Sequence, residues 1–387
     1  MKNFKFNVIL FILYLGFISI GIPDQILGVA WPSMRQDFTK PIEAAGIIVS
    51  TITIFTILSS FLSPFFIKKF KTNTILTFST FLIIIALTGF TIAPNWIILL
   101  LFCIPMGLGA GTVDASLNNY ASKNFDARNL NWLHASWGIG ATIGPMIMTF
   151  ALTFNSWKFG YILISCLLFI FYLTFIFTKN LWIEEKEEHT QKEKEKTVNL
   201  KEVLKLKPIL SMLFFFLYAA LEVGVGLWGA TVLIESRNFS PLASGTLITA
   251  YWASLTVGRF LTGVIANKFK TDNIITTGLA LGLFGMILFC THNFILNAIA
   301  LMIFGLGISG LFPCMMSIGS KRFGETFDIL CGFQVGFASI GVCTLPSLIG
   351  VIINKTNLEF LPLIIILTTI LMLAIDYKLK KKENVQS

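Results

Sequence analysis

Charge is what this chain has least of. Asp, Glu, Lys and Arg make up 13% of its 387 residues, about half the share of a soluble globular domain, which argues against a water-soluble fold. Histidine occurs only three times. The six cysteines (Cys103, Cys166, Cys290, Cys314, Cys331 and Cys343) all fall inside apolar runs without metal-ligand spacing. They read as buried free thiols, with no metal site. No nucleophile–base set stands out, so the chain is not expected to be an enzyme and no cofactor is implied. The alternating pattern of a membrane β-barrel is also missing.

What the chain has instead is hydrocarbon, with 55% of its residues hydrophobic. Crossing a bilayer takes about 20 apolar residues in a helix. Runs of that kind occupy 8–31, 43–67, 73–93, 96–121, 131–154, 158–178, 209–234, 242–266, 274–291, 294–318, 329–352 and 359–377. The expectation is an all-α polytopic protein with twelve transmembrane helices. The first run is too long for a signal peptide, lacks a small-residue cleavage pattern and is followed by eleven more.

The net charge of +9 is distributed in a way that speaks of topology rather than of nucleic acid. With the amino terminus inside, the inner segments collect 23 Lys and Arg residues, the outer loops hold five (Arg35, Lys40, Lys158, Arg237 and Lys355), and Arg259 is left within a span. Such a bias orients helices in the membrane, so both termini are expected in the cytoplasm and the protein in the plasma membrane.

One long hydrophilic stretch, 179–208, interrupts the pattern with eight Lys and seven Glu. It divides 1–178 from 209–387, six spans from six. The two sides repeat: FLSPFFIKKFKTNTI (61–75) matches FLTGVIANKFKTDNI (260–274) at seven of fifteen positions. Gly107-Leu108-Gly109 returns as Gly305-Leu306-Gly307, and Asp24, Gly28 and Trp31 are echoed by Glu222, Gly226 and Trp228. The near-constant offset implies a duplicated six-helix unit, two pseudo-symmetric bundles joined by a charged linker. Transporters built from parallel repeats hold their solute near the midplane between the halves.

Ionisable groups inside a membrane are costly and usually face an interior cavity. The candidates are Asp24, Asp114, His134, Glu222 and Arg259. Asp24 follows Pro23, which removes a backbone donor and leaves freed carbonyls nearby. Its carboxylate either caps a broken helix or relays protons, and the second reading is preferred for Asp24 and Asp114. Glu222 is a third proton-coupling candidate through its symmetry with Asp24. Gly107, Gly111, Asp114 and Asn118 fall on one helical face, and Asn131, His134, Gly138, Ala141 and Pro145 on another. Two adjacent helices that turn polar stripes inward suggest a lined cavity. Asn118, Asn131, His134 and Gln334 are candidate solute contacts, and Trp137 and Trp228 candidate platforms for the C–H face of a sugar. Arg259, near the end of its span, is read as structural and able to snorkel.

Twelve spans in two halves resemble a major facilitator superfamily transporter. The loop GRFLTGVIANKFK resembles that superfamily's cytoplasmic motif through Gly258, Arg259, Gly263, Asn267 and Lys268, whereas the first-half copy keeps only Lys68, Lys69 and Lys71. Within the superfamily the chain is similar to the fucose:proton symporter group, through Asp24, GAGTVDASLNNY (109–120) and LNWLHASWGIGATIGP (130–145). The resemblance implies proton coupling and sugar contact at Asp24 and Asp114, and sugar contact at Asn118 and His134. His134 stands where the symporter has an amide, so fucose itself is not implied.

The expectation is proton-coupled uptake of a small polar solute, a sugar or polyol, by a monomer working through alternating access with solute, protons and lipid as its partners. A proton-driven exporter of drugs or metabolites is the alternative, and a membrane sensor or scaffold a more distant one. A cysteine placed at Lys192 in a background without native cysteines should resist impermeant thiol reagents in right-side-out vesicles. Rapid labelling there would reverse the topology.

Overall fold

The computed structural model describes residues 2–124, 127–182, 200–266 and 268–381. Every regular element among them is helical: α1 (Lys2–Asp24), α2 (Leu27–Asp37), α3 (Ala44–Lys69), α4 (Thr72–Ile92), α5 (Trp96–Asn124), α6 (Ala127–Leu152), α7 (Trp157–Phe177), α8 (Leu200–Val203), α9 (Leu206–Thr231), α10 (Pro241–Ile265), α11 (Thr271–Phe289), α12 (Phe294–Ile308), α13 (Leu311–Phe323), α14 (Phe327–Lys355) and α15 (Phe360–Lys380). The turns between them use local chemistry that suits a helix end. Thr39, Asn155 and Asn238 take left-handed φ angles of 51°, 54° and 56°, a region that Asn enters at little cost. Ser156 and Asn293 cap α7 and α12 by accepting from the backbone N–H groups of Phe159 and Leu296 at 3.1 Å each.

Eleven stretches among the described residues are long and apolar enough to cross a membrane. The run expected at 242–266 is helical as α10 but is not one of the eleven. Ser244, Thr246, Thr249, Ser254, Thr256, Arg259 and Thr262 dilute its apolar character.

The chain forms two compact units, Met1–Lys186 with Leu227–Ala253, and Glu187–Gly226 with Ser254–Ser387. This partition cuts through α9 and α10. Residues 183–199 of the charged stretch lie outside the described residues.

Each unit is closed by the same kind of contact at matching places. In the first, Gly109 of α5 lies against the Ser79 carbonyl of α4, and Gly140 of α6 against the Ile18 carbonyl of α1. In the second, Gly307 of α12 lies against the Gly278 carbonyl of α11, and Gly341 of α14 against the Phe216 carbonyl of α9. The four residues of the second set follow those of the first by 198 to 201 positions. The repeat therefore exists as paired helix contacts as well as a sequence pattern. In hydrocarbon, helices associate through close packing of small residues rather than by hydrophobic exclusion.

The α1–α6 contact is the tightest expression of this. Gly21 meets the Trp137 carbonyl, Gly140 that of Ile18 and Gly144 that of Ile22, so a methyl at any of the three would overlap a backbone oxygen. Around it gathers a core of Ile9, Leu13, Phe17, Ile20, Leu117 and Leu133, with Trp137 packed on it. At one end of the first unit Arg35 of α2 forms a two-point ion pair with Glu235, at 2.9 and 2.6 Å. Nearby the Trp157 indole donates to Asp37 at 2.8 Å.

Gly144→Ala should destabilise the fold by about 1–3 kcal/mol, the usual cost of overpacking. Gly263→Ala should be nearly silent, because a methyl there meets nothing within 4 Å. Thermal unfolding in detergent compares the two. Equal melting temperatures would remove the α1–α6 approach as a determinant of stability.

Candidate functional site

The first transmembrane run does not continue as one helix. α1 stops at Asp24 and α2 starts at Leu27, with a turn at Gln25 and Ile26 between them. Pro23 lies in the last turn of α1. Its ring cannot donate to the carbonyl of Ser19 and crowds it, which weakens the helix there. A helix end also leaves backbone carbonyls without intrahelical partners. The break makes a polar spot inside an apolar run, and Asp24 sits on it with its side chain exposed.

Across from it, Trp137 of α6 donates its indole Nε1–H to Asp24 Oδ2 at 2.9 Å. The α1–α6 glycines explain why the reach is possible: the Trp137 backbone rests on Gly21, three residues before Asp24. Behind Trp137, Trp252 of α10 stands edge-to-face, with ring centroids 6.3 Å apart and an interplanar angle of 81°. Tyr251 packs on Trp252 at 5.0 Å.

Asp114 of α5 is exposed as well, and lies within electrostatic reach of Asp24. Asn118, one turn further on, donates its amide to the Asp114 carbonyl and to Oδ1, each at 2.9 Å. Neither Asp24 nor Asp114 has an ion-pair partner among the described residues. Asn131 and His134 are on α6, but their side chains lie outside the described residues.

The second unit treats its carboxylates differently. Glu222 of α9 receives Arg259 Nη2 at 2.6 Å, with side chains only 13% and 21% exposed. Tyr218, one turn before Glu222, lies beside the pair. Arg259 thus turns to a partner within the bundle instead of snorkelling. Asp272 pairs with Arg322, and Asp376 with Lys380. Gln334 is fully buried and donates to Ser211 Oγ at 2.6 Å. Trp228 is fully buried too, within the first unit, as is Trp31, whose indole donates to the Ile42 carbonyl at 2.8 Å.

The structure therefore brings together Asp24, Asp114, Asn118 and Trp137, and sets Glu222 apart with its own cation. Sequence reasoning missed Trp252 and the partner of Glu222. A signal existed: Trp252 and Arg259 are seven residues apart, on one face of a helix rich in Ser, Thr and Gly. A separate cavity of about 310 Å³ is lined by Gln36, Asp37, Asn155, Ser156 and Lys158, among others. It shares no lining residue with the Asp24 cluster. No group of three or more metal-ligating side chains occurs among the described residues.

Long apolar helices in repeated pairs, with carboxylates set among them, are the frame of a membrane transporter. The chain belongs to the Major Facilitator Superfamily, whose family model matches residues 13–327. It is 21% identical to the glucose/mannose transporter GlcP of Bacillus subtilis (strain 168) over 384 residues, 96% of this chain and 94% of that one. Among solved structures it overlays on the nucleoside transporter NupG with a TM-score of 0.75 at 15% identity, covering 98% of this chain and 100% of that one. A single-residue variant of the E. coli fucose:proton symporter FucP gives 0.63 at 15% identity, with 97% and 99% covered. The likeness to the fucose symporter is therefore one of several and does not single that group out.

Removing one member of a largely buried ion pair strands the other, at a cost of up to about 3–5 kcal/mol, and less where some exposure remains. Glu222→Gln should lower the unfolding temperature more than Asp24→Asn, and adding Arg259→Gln to it should restore part of the loss. A double variant no more stable than Glu222→Gln alone would show that leaving Arg259 unpaired carries no penalty.

Proposed function

We propose that the protein is a proton-coupled importer of a small neutral polar solute, a sugar or polyol, in which Asp24 carries the coupling proton. The observation that supports this most is the placement of Asp24: at a helix break in an apolar run, exposed, held by one indole N–H, and without a described cation to neutralise it. A charged side chain at the bilayer centre costs about 2.5–3.5 kcal/mol on insertion scales. Protonation removes that cost when the site closes. Glu222 already has Arg259 as its counter-ion, which favours Asp24 and Asp114 over it as the coupling groups.

In this reading α10 is the twelfth span, 1–178 and 209–387 are the two six-helix bundles, and the 179–208 linker joins them. Both termini face the cytoplasm and the plasma-membrane protein acts as a monomer. Asn118 holds Asp114, and with Asn131, His134, Trp137, Trp228 and Gln334 it belongs to the set that contacts or shapes the solute site. The cycle follows from the charges. Asp24 takes a proton from outside with solute bound, the neutral site is occluded, and release of solute and proton inward restores the carboxylate. Similarity to a glucose/mannose transporter, and a fold shared with nucleoside and fucose carriers, support a hydroxylated cargo.

The test is uptake into proteoliposomes with an imposed pH gradient, screened over sugars, polyols and amphipathic cations. Asp24→Asn keeps the shape of the side chain but fixes it neutral. It should abolish gradient-driven accumulation and spare solute binding and exchange between loaded vesicles. Asp114→Asn should impair net transport with a larger loss of binding. Full accumulation by Asp24→Asn would remove Asp24 from the mechanism. Uptake of amphipathic cations alone would favour the exporter reading.

A further inference from the structure

We propose that Trp252 is a positioning residue through which the protonation state of Asp24 is transmitted, by way of Trp137, from α1 to α10. The inference rests on the reading of Asp24 as the proton carrier, and adds to it the path by which that proton is felt elsewhere.

The path is three contacts long and lies within the first unit. Trp137 Nε1 donates to Asp24 Oδ2 at 2.9 Å. The Trp137 ring meets Trp252 edge-to-face at 6.3 Å. Trp252 packs on Tyr251 at 5.0 Å, and both of these rings are fully buried. An indole nitrogen only donates. It can bond the carboxylate oxygen but can accept nothing from a carboxylic acid, so the bond changes strength with charge. A hydrogen bond to an ionised acceptor is roughly twice as strong as a neutral one. Trp137 is thus held firmly against α1 when Asp24 is charged and loosely when it is neutral.

Whether a looser Trp137 has consequences depends on what it leans on. Its backbone is fixed, because the carbonyl is wedged against Gly21. The freedom it gains is therefore in the ring, whose neighbour on the α10 side is Trp252 at 6.3 Å, so a change in ring orientation alters that edge-to-face contact. Trp252 is fully buried, with Tyr251 against it. Close-packed side chains pass such displacements on rather than absorb them. From Trp252 the chain runs without interruption along α10 to Arg259, seven residues on, which holds Glu222 in the second unit.

Other charges do not obscure this path. α5, α6 and α7 pack against α1. Among the described side chains on them, the charged group acting on Asp24 is Asp114 of α5. Tyr161 and Cys103 are neutral at working pH, and the His134 side chain lies outside the described residues. On α10, Tyr251 is a phenol and Arg259 is occupied by Glu222.

The decisive experiment needs no solute. In purified full-length protein with 15N-labelled indoles, the Trp137 and Trp252 side-chain resonances are assigned from Trp137→Phe and Trp252→Phe and followed through a pH titration. Both should move with a common midpoint, and Asp24→Asn should abolish both responses. A Trp137 that titrates while Trp252 stays still overturns the transmission and leaves Asp24 as proton carrier untouched. A Trp137 that does not respond at all, or responds unchanged in Asp24→Asn, overturns the proton-carrier reading and the transmission with it. A second arm uses transport of radiolabelled glucose, and of xylose. Trp252→Leu should flatten the pH dependence of gradient-driven uptake while keeping exchange within about twofold, and Trp252→Phe should recover part of the profile. Equal losses of uptake and exchange with an unchanged pH profile would mean packing only, and would overturn the proposal.

Discussion

The approach of α1 to α6 is the contact on which the polar cluster at Asp24 depends. Gly21, Gly140 and Gly144 let two backbones meet where any side chain would hold them apart. That spacing brings the Trp137 indole within 2.9 Å of Asp24. A carboxylate in hydrocarbon has few ways to be tolerated, and here it has a helix break and one donor. In a lipid environment, where apolar exclusion offers helices no attraction for one another, small residues at the interface do the work of assembly. The same glycines that stabilise the bundle therefore also set the geometry of its polar centre.

The two repeats have used their inherited positions differently. In the first, Asp24 ends a helix weakened by Pro23 and keeps no described counter-ion. In the second, Glu222 occupies an uninterrupted part of α9 and is matched by Arg259. One carboxylate has a single indole donor, and the other a guanidinium partner. Duplication supplied two acidic sites, and the surroundings of each decided what it could do. The difference is one of partners, not of residue type.

Much of the fold is legible in the sequence because membrane helices announce themselves by length and apolarity. The repeat is legible because a charged loop such as KFKT stands out against an apolar alphabet. Asp24 and the Asp114–Asn118 pair are also within reach, the first from its proline and the second from helical spacing. Contacts between helices are not. Trp137 and Asp24 are separated by 113 positions and Arg259 and Glu222 by 37. Which faces meet depends on how each helix is rotated, and periodicity alone leaves that open. The tryptophans show it best. Trp31, Trp228 and Trp252 are all fully buried, and Trp137 is the partly accessible one. Composition treats the four alike. α10 shows the opposite difficulty, since the polar residues that give it contacts also lower its apolarity below that of its neighbours.

The Arg259–Glu222 pair has an electrical corollary. A neutral couple that travels as one body does no work against a transmembrane voltage, whereas each unpaired elementary charge exchanges about 2.3 kcal/mol per 100 mV of the potential it crosses. The second repeat can change position without feeling the field through this pair. On the proposed reading, Asp24 and Asp114 are the acids through which the field acts, and each stops responding when its carboxylate holds a proton. In that cycle the step with both carboxylates loaded would carry no charge through them, and the return with either one empty would be where the membrane potential acts.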